Sequence, residues 1–251
     1  MTRISGAFKK NKKTLIVFIM AGDPSLAKTE KLVYEIEKAG ADIIELGIPF
    51  SDSIADGPTI QEAALRALKN NVSAADAIKL AKKIRKNSSI PLIFMTSYNI
   101  VFSYGADMFA GEAAAAGVDG LILPDLPIEE ADQMKKHGMD IILLVAPNSS
   151  EEHIKLAAKN SSGFIYMISL AGTTGASANM DLDIKGIISS MRKTSKTPIA
   201  IGFGISNSAQ AAAAAKLADG IIVGSAVIDV ISKKSGNVGK FVASLKKAIN
   251  R

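Results

Sequence analysis

The sequence predicts an α/β protein, a single (β/α)8 barrel spanning residues 1–251. Three observations predict it. Eight short apolar runs alternate with amphipathic stretches, one turn-and-strand signature recurs along the chain, and 251 residues with 48% hydrophobic content can fill one large core. Parallel strands are buried on both faces, so they read as unbroken apolar runs.

The strands are expected at 15–20, 42–46, 91–96, 120–123, 141–145, 164–168, 199–202 and 220–223, each bounded by Gly, Pro, Asp or Ser. Between them, residues 28–38 place Leu32, Val33 and Ile36 on one helical face, and 74–86 does the same with Ala77, Ile78, Ala81 and Ile84. Residues 151–159, 184–193 and 210–217 follow suit. Ser25, Ser73, Ser150 and Ser208 are the expected N-caps, and Gly40, Gly117 and Gly138 the expected helix ends. The recurring signature reads AGADIIEL, AGVDGLIL, HGMDIILL and LADGIIVG: a helix end, a tight turn with Asp, then a buried strand. Eight such units favour a closed parallel barrel. An open doubly wound sheet is the alternative, because strand count alone does not establish closure. Two connections are longer than the rest. Helical stretches 61–70 and 74–86 both separate the second and third strands, and a small-residue-rich segment, 170–179, follows the sixth. In a barrel both fall at the C-terminal mouth, where active sites lie.

Composition narrows the function classes. With no cysteine, disulfides, thiolate catalysis and Cys-based metal sites are excluded, and a cytoplasmic location is the expectation. Thirty Lys and Arg against 24 Asp and Glu give a net charge of +6. The basic clusters at 9–13, 82–86 and 246–247 are dispersed and lack interleaved aromatics, which reads as a solvated surface and not a nucleic-acid site. The run KKNKKTLIVFIMAG resembles the start of a secretory signal, but it leads directly into the turn at Gly22-Asp23-Pro24 and reads as the first strand.

Candidate functional residues gather at the C-terminal ends of the expected strands. The seventh ends in Gly202-Phe203-Gly204-Ile205-Ser206 and the eighth in Gly224-Ser225. Glycine lets a backbone approach an anion, and barrels often hold phosphate with these two loops and a helix N-terminus. Gly172-Thr173-Thr174-Gly175 after the sixth strand either closes over the anion or is simply a mobile loop. Glu45 interrupts the apolar run Ile-Ile-Glu-Leu-Gly; an acid there faces the mouth or is paired, since an unpaired buried charge costs on the order of several kcal/mol. Asp52 and Asp56 follow in FSDSIADGP, where either can instead stabilise a turn, and Asp125 lies at the same end after the fourth strand. His137 and His153 fall on helices or helix ends and read as surface or capping groups. No group of His, Asp and Glu has metal-ligand spacing.

At this point the residues become specific. IIELGIPFSDSIADGPTIQ (43–61), FIMAGDP, MTSYNIVFSYG, GVDGLILPDLPIEE, AGTTGA, GFGIS and GSA, in this order and over essentially the whole chain, resemble the tryptophan synthase α subunits. The Glu-to-Asp segment is highly specific; the glycine motifs alone fit many phosphate-binding barrels. The resemblance implies a TIM barrel that cleaves indole-3-glycerol phosphate to indole and glyceraldehyde 3-phosphate by a retro-aldol reaction. It implies catalytic roles for Glu45 and Asp56 and an active-site tyrosine at Tyr166. Phosphate contacts fall on Thr174, Gly175, Gly204, Gly224 and Ser225, and indole contacts on Phe18, Ile122, Phe203 and Ile222. It also implies no cofactor in this chain and an αββα complex with a β subunit that carries pyridoxal phosphate. Ser53, Ile100, Met20 and Leu170-Ala171 depart from the usual family pattern, all in or beside loops. Another phosphate-binding barrel, such as an isomerase, would share the glycine loops but would not explain the Glu45–Asp56 segment. A subunit acting only as a partner's activator would not need both acids.

Overall fold

The computed structural model describes residues 1–53, 56–168, 177–202, 204–233 and 236–250, with the side chains of all of these except 133 and 177–183. The elements run α1 (Arg3–Lys10), β1 (Thr14–Met20), α2 (Leu26–Lys38), β2 (Ile43–Gly47), α3 (Pro58–Lys69), α4 (Ala74–Arg85), β3 (Leu92–Met95), α5 (Tyr98–Tyr104), α6 (Ala106–Ala115), β4 (Gly120–Ile122), α7 (Ala131–Met134), β5 (Asp140–Ile142) and β6 (Leu144–Val145). They continue with α8 (Glu151–Asn160), β7 (Ile165–Ile168), α9 (Ser177–Thr194), β8 (Ile199–Gly202), α10 (Ser208–Leu217), β9 (Gly220–Val223), α11 (Ser225–Ser232) and α12 (Val238–Ile249).

All strand pairings are parallel, in the order β5-β4-β3-β2-β1-β9-β8-β7-β6. The two ends of that order, β5 and β6, are separated in the chain only by Leu143. They are two halves of the fifth expected strand, and it closes the cylinder. The break has a local cause. The Leu143 amide donates to the Ser161 hydroxyl at 3.0 Å, while its carbonyl accepts from the Tyr166 amide at 3.0 Å. The open-sheet alternative is thereby removed.

Side chains alternate strictly across the barrel wall. On β1, Leu15, Val17 and Ile19 join the outer layer beneath the helices, and Ile16, Phe18 and Met20 fill the interior. On β2, Ile44 and Leu46 face out and Ile43 faces in, so Glu45 faces in as well. The register sets Glu45 between Phe18 on β1 and Ile93 on β3. The extra helix α3 packs its Ile60, Ala63, Ala64 and Ala67 onto the interior cluster, above β1 and beside α11.

The recurring Asp signature has a structural purpose at the N-terminal end. Asp42, Asp119 and Asp219 each accept an amide near the start of an odd strand of the eight in the barrel (the first, third and seventh), from Leu15 of β1 (2.7 Å), Leu92 of β3 (2.9 Å) and Ile199 of β8 (2.9 Å). Ser162 does the same for Ile141 at 2.8 Å. Each of the three carboxylates is also neutralised: Asp42 by Lys246, Asp119 by Arg3 and Arg85, Asp219 by Arg192. Asp140, the acid of HGMDIILL, lies on an odd strand and stands outside this pattern; its Oδ2 is buried without a hydrogen-bond partner among the described residues.

Two local features were not expected. Helix α1 closes the barrel floor. Its Ile4 is fully buried in the interior cluster, and the Phe8 ring lies 5.6 Å from that of Phe164. Burying Ile4 alone stabilises by roughly 1.5–3 kcal/mol. The signal was present as Thr2, a capping residue, followed by Ile4 and Phe8 one turn apart, but the lysines around it obscured it. The cap of α10 is Asn207, not Ser208, whereas Ser25, Ser73 and Ser150 cap as expected. Among the described residues no helix is long and apolar enough to cross a membrane.

Candidate active site

Glu45 and Asp56 come together at the C-terminal mouth, delivered by β2 and by the loop before α3. Glu45 is 1% exposed, and its Oε2 has no hydrogen-bond partner among the described residues. A carboxyl so placed resists ionisation. Burial, reinforced by the negative charge of Asp56, pushes its pKa from 4.5 up to about 8. At neutral pH it is therefore mostly protonated. Asp56 is half-buried. Burial raises its pKa, and a hydrogen bond with the Ser53 side chain opposes that rise. Burial is the larger of the two effects, so the net shift of Asp56 is upward. Gln61 Nε2 donates to the Asp56 carbonyl at 2.9 Å and fixes the loop to α3. Burial raises both carboxyls, and only Asp56 has a hydroxyl beside it that works against the rise.

Tyr166 completes this end of the barrel from β7. It is buried, and burial together with the charges of Glu45 and Asp56 raises its pKa well above the usual value. Its ring lies over Gly202, where a Cβ would come within 2.5 Å of the Tyr166 hydroxyl. Ala200, its neighbour in register on β8, is likewise small.

Two adjoining cavities open at the mouth and share Phe18, Met95 and Asp56 as their common wall. One, of about 170 Å³, contains Glu45, Tyr166 and Ile222 at one end and Gly204, Ser206, Gly224 and Ser225 at the other. Gly204 has φ +78°, a left-handed conformation that favours glycine. Gly224 caps α11, so the first amides of that helix lie at the cavity. The other cavity, of about 220 Å³, is bounded by Met20, Ile48, Phe50, Asp52, Thr96 and Asp125, among others.

Of the expected site residues, Glu45, Asp56, Phe18, Tyr166, Ile222, Gly204, Gly224 and Ser225 line one cavity. Ile122 lies in the interior cluster below it and lines neither. Thr174, Gly175 and Phe203, with most of the 170–179 segment, lie outside the described residues. Asp125 is a structural cap, accepting from Ser97 Oγ (2.5 Å) and the Tyr98 amide (2.6 Å) at the start of α5. His137 pairs with Asp107 at 2.9 Å, and His153 Nε2 lies 3.0 Å from the Leu144 carbonyl; neither lines the two cavities. Met95 and Ile60 were missed as cavity residues. Met95 was readable as the inward position at the end of the third strand; Ile60 depended on how α3 folds back. Among the described residues no group of three His, Cys, Asp or Glu side chains is arranged to hold a metal.

A closed parallel barrel with two carboxyl groups at its C-terminal mouth, and no Lys or Arg beside them among the described residues, defines a TIM-barrel enzyme equipped for proton transfer. Comparison with known proteins gives the family. The family model described as tryptophan synthase alpha chain matches residues 4–250. The tryptophan synthase alpha chain of Dehalococcoides mccartyi is 44% identical over 256 residues, covering 100% of both chains. That of Geotalea uraniireducens is 44% identical over 262 residues, covering 99% of this chain and 98% of its own. The crystal structure of the tryptophan synthase alpha subunit from Legionella pneumophila superposes with a TM-score of 0.89 at 38% identity, covering 99% of this chain and 98% of that one. A chain of Mycobacterium tuberculosis tryptophan synthase gives 0.91 at 32%, covering 100% and 99%. This chain belongs to the tryptophan synthase alpha chain family, lyases of tryptophan biosynthesis that cleave indole-3-glycerol phosphate.

Proposed function

We propose that Glu45 and Asp56 carry the cleavage between them, within one barrel domain formed by residues 1–251. The observation that carries this reading is the pairing of a buried Glu45, its pKa pushed up to about 8, with a half-buried Asp56 on the walls of one cavity. Indole is a poor leaving group until C3 of its ring is protonated. Neutral Glu45 donates that proton, and the ring becomes an indoleninium. Asp56 accepts a hydrogen bond from the ring N–H and offsets the positive charge. The Glu45 carboxylate then takes the proton of the adjacent glycerol hydroxyl. The carbon–carbon bond breaks, its electron pair returns to the ring, and an aldehyde and indole result. Glu45 ends the cycle protonated, as it began, so this chain needs no cofactor for the reaction.

Phe18 and Ile222 grip the indole, and Tyr166 bounds it from β7. Gly204, Gly224 and Ser225 offer backbone amides to the phosphate; the family resemblance adds Thr174 and Gly175 to the phosphate contacts and Phe203 to the indole contacts. Ile122 supports the indole site from below. The partner in this reading is a tryptophan synthase β subunit in an αββα complex, carrying pyridoxal phosphate and consuming indole, in the cytoplasm. The loop bearing Asp56 faces that partner, whose binding speeds a slow isolated chain.

The test is indole release from indole-3-glycerol phosphate by the purified chain, titrated with the β subunit. Slow release alone and faster release within a larger complex is the expected outcome. Release at one rate at every partner concentration, with no complex, would leave a stand-alone lyase. Gly224→Val should raise the KM severalfold, because its Cβ would lie 3.3 Å from that of Phe18 and intrude on the phosphate end.

A further inference from the structure

The phosphate end of the cavity holds a carboxylate that the cleavage does not use. Asp229 lines it together with Gly204, Gly224 and Ser225, and among the described residues no Lys or Arg does. Asp229 follows Ser225 by four residues in α11. Residues four apart share a helix face, and side chains lean toward the helix N-terminus. The Asp229 side chain therefore overhangs the same first turn whose amides meet the cavity. The side chain is exposed, so it is not retained for packing.

A carboxylate at an anion site repels a fully ionised oxyanion. Toward one that still carries a proton it is an acceptor, and the contact becomes a charge-assisted hydrogen bond. We propose that Asp229 is a specificity residue, making this pocket select a phosphate group able to bring a proton and reject sulfate, which brings none. The inference rests on the reading that this pocket holds the substrate's phosphate. A phosphate monoester has its second pKa at about 6, so a fraction is protonated near neutrality. Among the described residues, the other titratable groups on the cavity are Glu45 from β2, Asp56 from the loop before α3 and Tyr166 from β7, none of them cationic. Helices α3 and α12 pack against α11 and carry Glu62, Arg66, Lys69, Lys240, Lys246 and Lys247; Arg66 is engaged by Asp23 and Lys246 by Asp42, and none of the six lines the cavity. Attraction to the phosphate thus comes from helix and loop amides, and discrimination from a repulsive element set beside them.

Calorimetric binding of inorganic phosphate and of sulfate at pH 7 tests this in wild type, Asp229→Asn and Gly224→Val. Wild type is expected to bind phosphate at least about tenfold more tightly than sulfate, and Asp229→Asn to tighten sulfate by about tenfold and erase the preference. Loss of phosphate binding in Gly224→Val places the anion in this pocket. With that loss seen, an unchanged phosphate-to-sulfate ratio in Asp229→Asn overturns the role of Asp229 alone. Phosphate binding that survives Gly224→Val, or is absent from wild type, overturns the phosphate site and the role of Asp229 with it.

Discussion

The two ends of this barrel treat the same side-chain chemistry in opposite ways. At the N-terminal end, Asp42, Asp119 and Asp219 each cap a strand amide and face a Lys or Arg. At the C-terminal end, Glu45 is buried with an oxygen unpartnered among the described residues, and the charge that acts on it, Asp56, is another acid. A satisfied carboxylate is stable and chemically idle. An unsatisfied one costs stability and gains a pKa near working pH. The three strand-capping acids at the floor are neutralised, whereas Glu45 at the mouth is left for chemistry, the division expected of such barrels.

The contrast is sharpest in turnover. Glu45→Gln is expected to fold and bind indole-3-glycerol phosphate yet release indole about 10²–10⁴-fold more slowly. Wild-type turnover in the folded variant would remove Glu45 from the chemistry. At the floor the same kind of change should strike stability instead. Asp119→Ala strands the half-buried Arg85 and the Leu92 amide and should cost roughly 3 kcal/mol in urea unfolding. A loss below about 1 kcal/mol would mean that the floor network is ornamental.

A smaller effect concerns Glu45 alone. The folded pKa of Glu45, about 8, lies above its reference value of 4.5. Over that window the native state holds a proton that the unfolded chain has released, so Glu45 makes stability fall as pH rises from about 4.5 to 8. Glu45→Gln cannot ionise. It should therefore be more stable than wild type at pH 8, by an amount on the order of a few kcal/mol that shrinks toward pH 5. Equal stability of the two proteins across this range would show that Glu45 ionises in the folded state as readily as in the unfolded chain.

Much of this was legible in the sequence, for identifiable reasons. Strands buried on both faces leave unbroken apolar runs, so all eight barrel strands were placed to within a few residues. Glu45 was conspicuous because an acid in such a run needs an explanation. The repeated Asp signature was visible, but its purpose was not, because capping a neighbouring strand depends on register between segments far apart in sequence. The split of the fifth strand at Leu143 was hidden for the same reason, since it depends on a hydroxyl from Ser161. Helix α1 was masked by its lysines. Asp229 drew no notice because a single acid in the short helix α11 becomes notable only once it borders a cavity.

Whether Glu45 begins the reaction as an acid is decided by the pH dependence of single-turnover indole release from indole-3-glycerol phosphate. The account predicts a rate that is highest near neutrality and falls above pH about 8, with the falling limb moved to lower pH in Asp56→Asn, because the charge of Asp56 helps hold the proton on Glu45. A rate that rises through pH 8, or a limb that Asp56→Asn leaves in place, would contradict it.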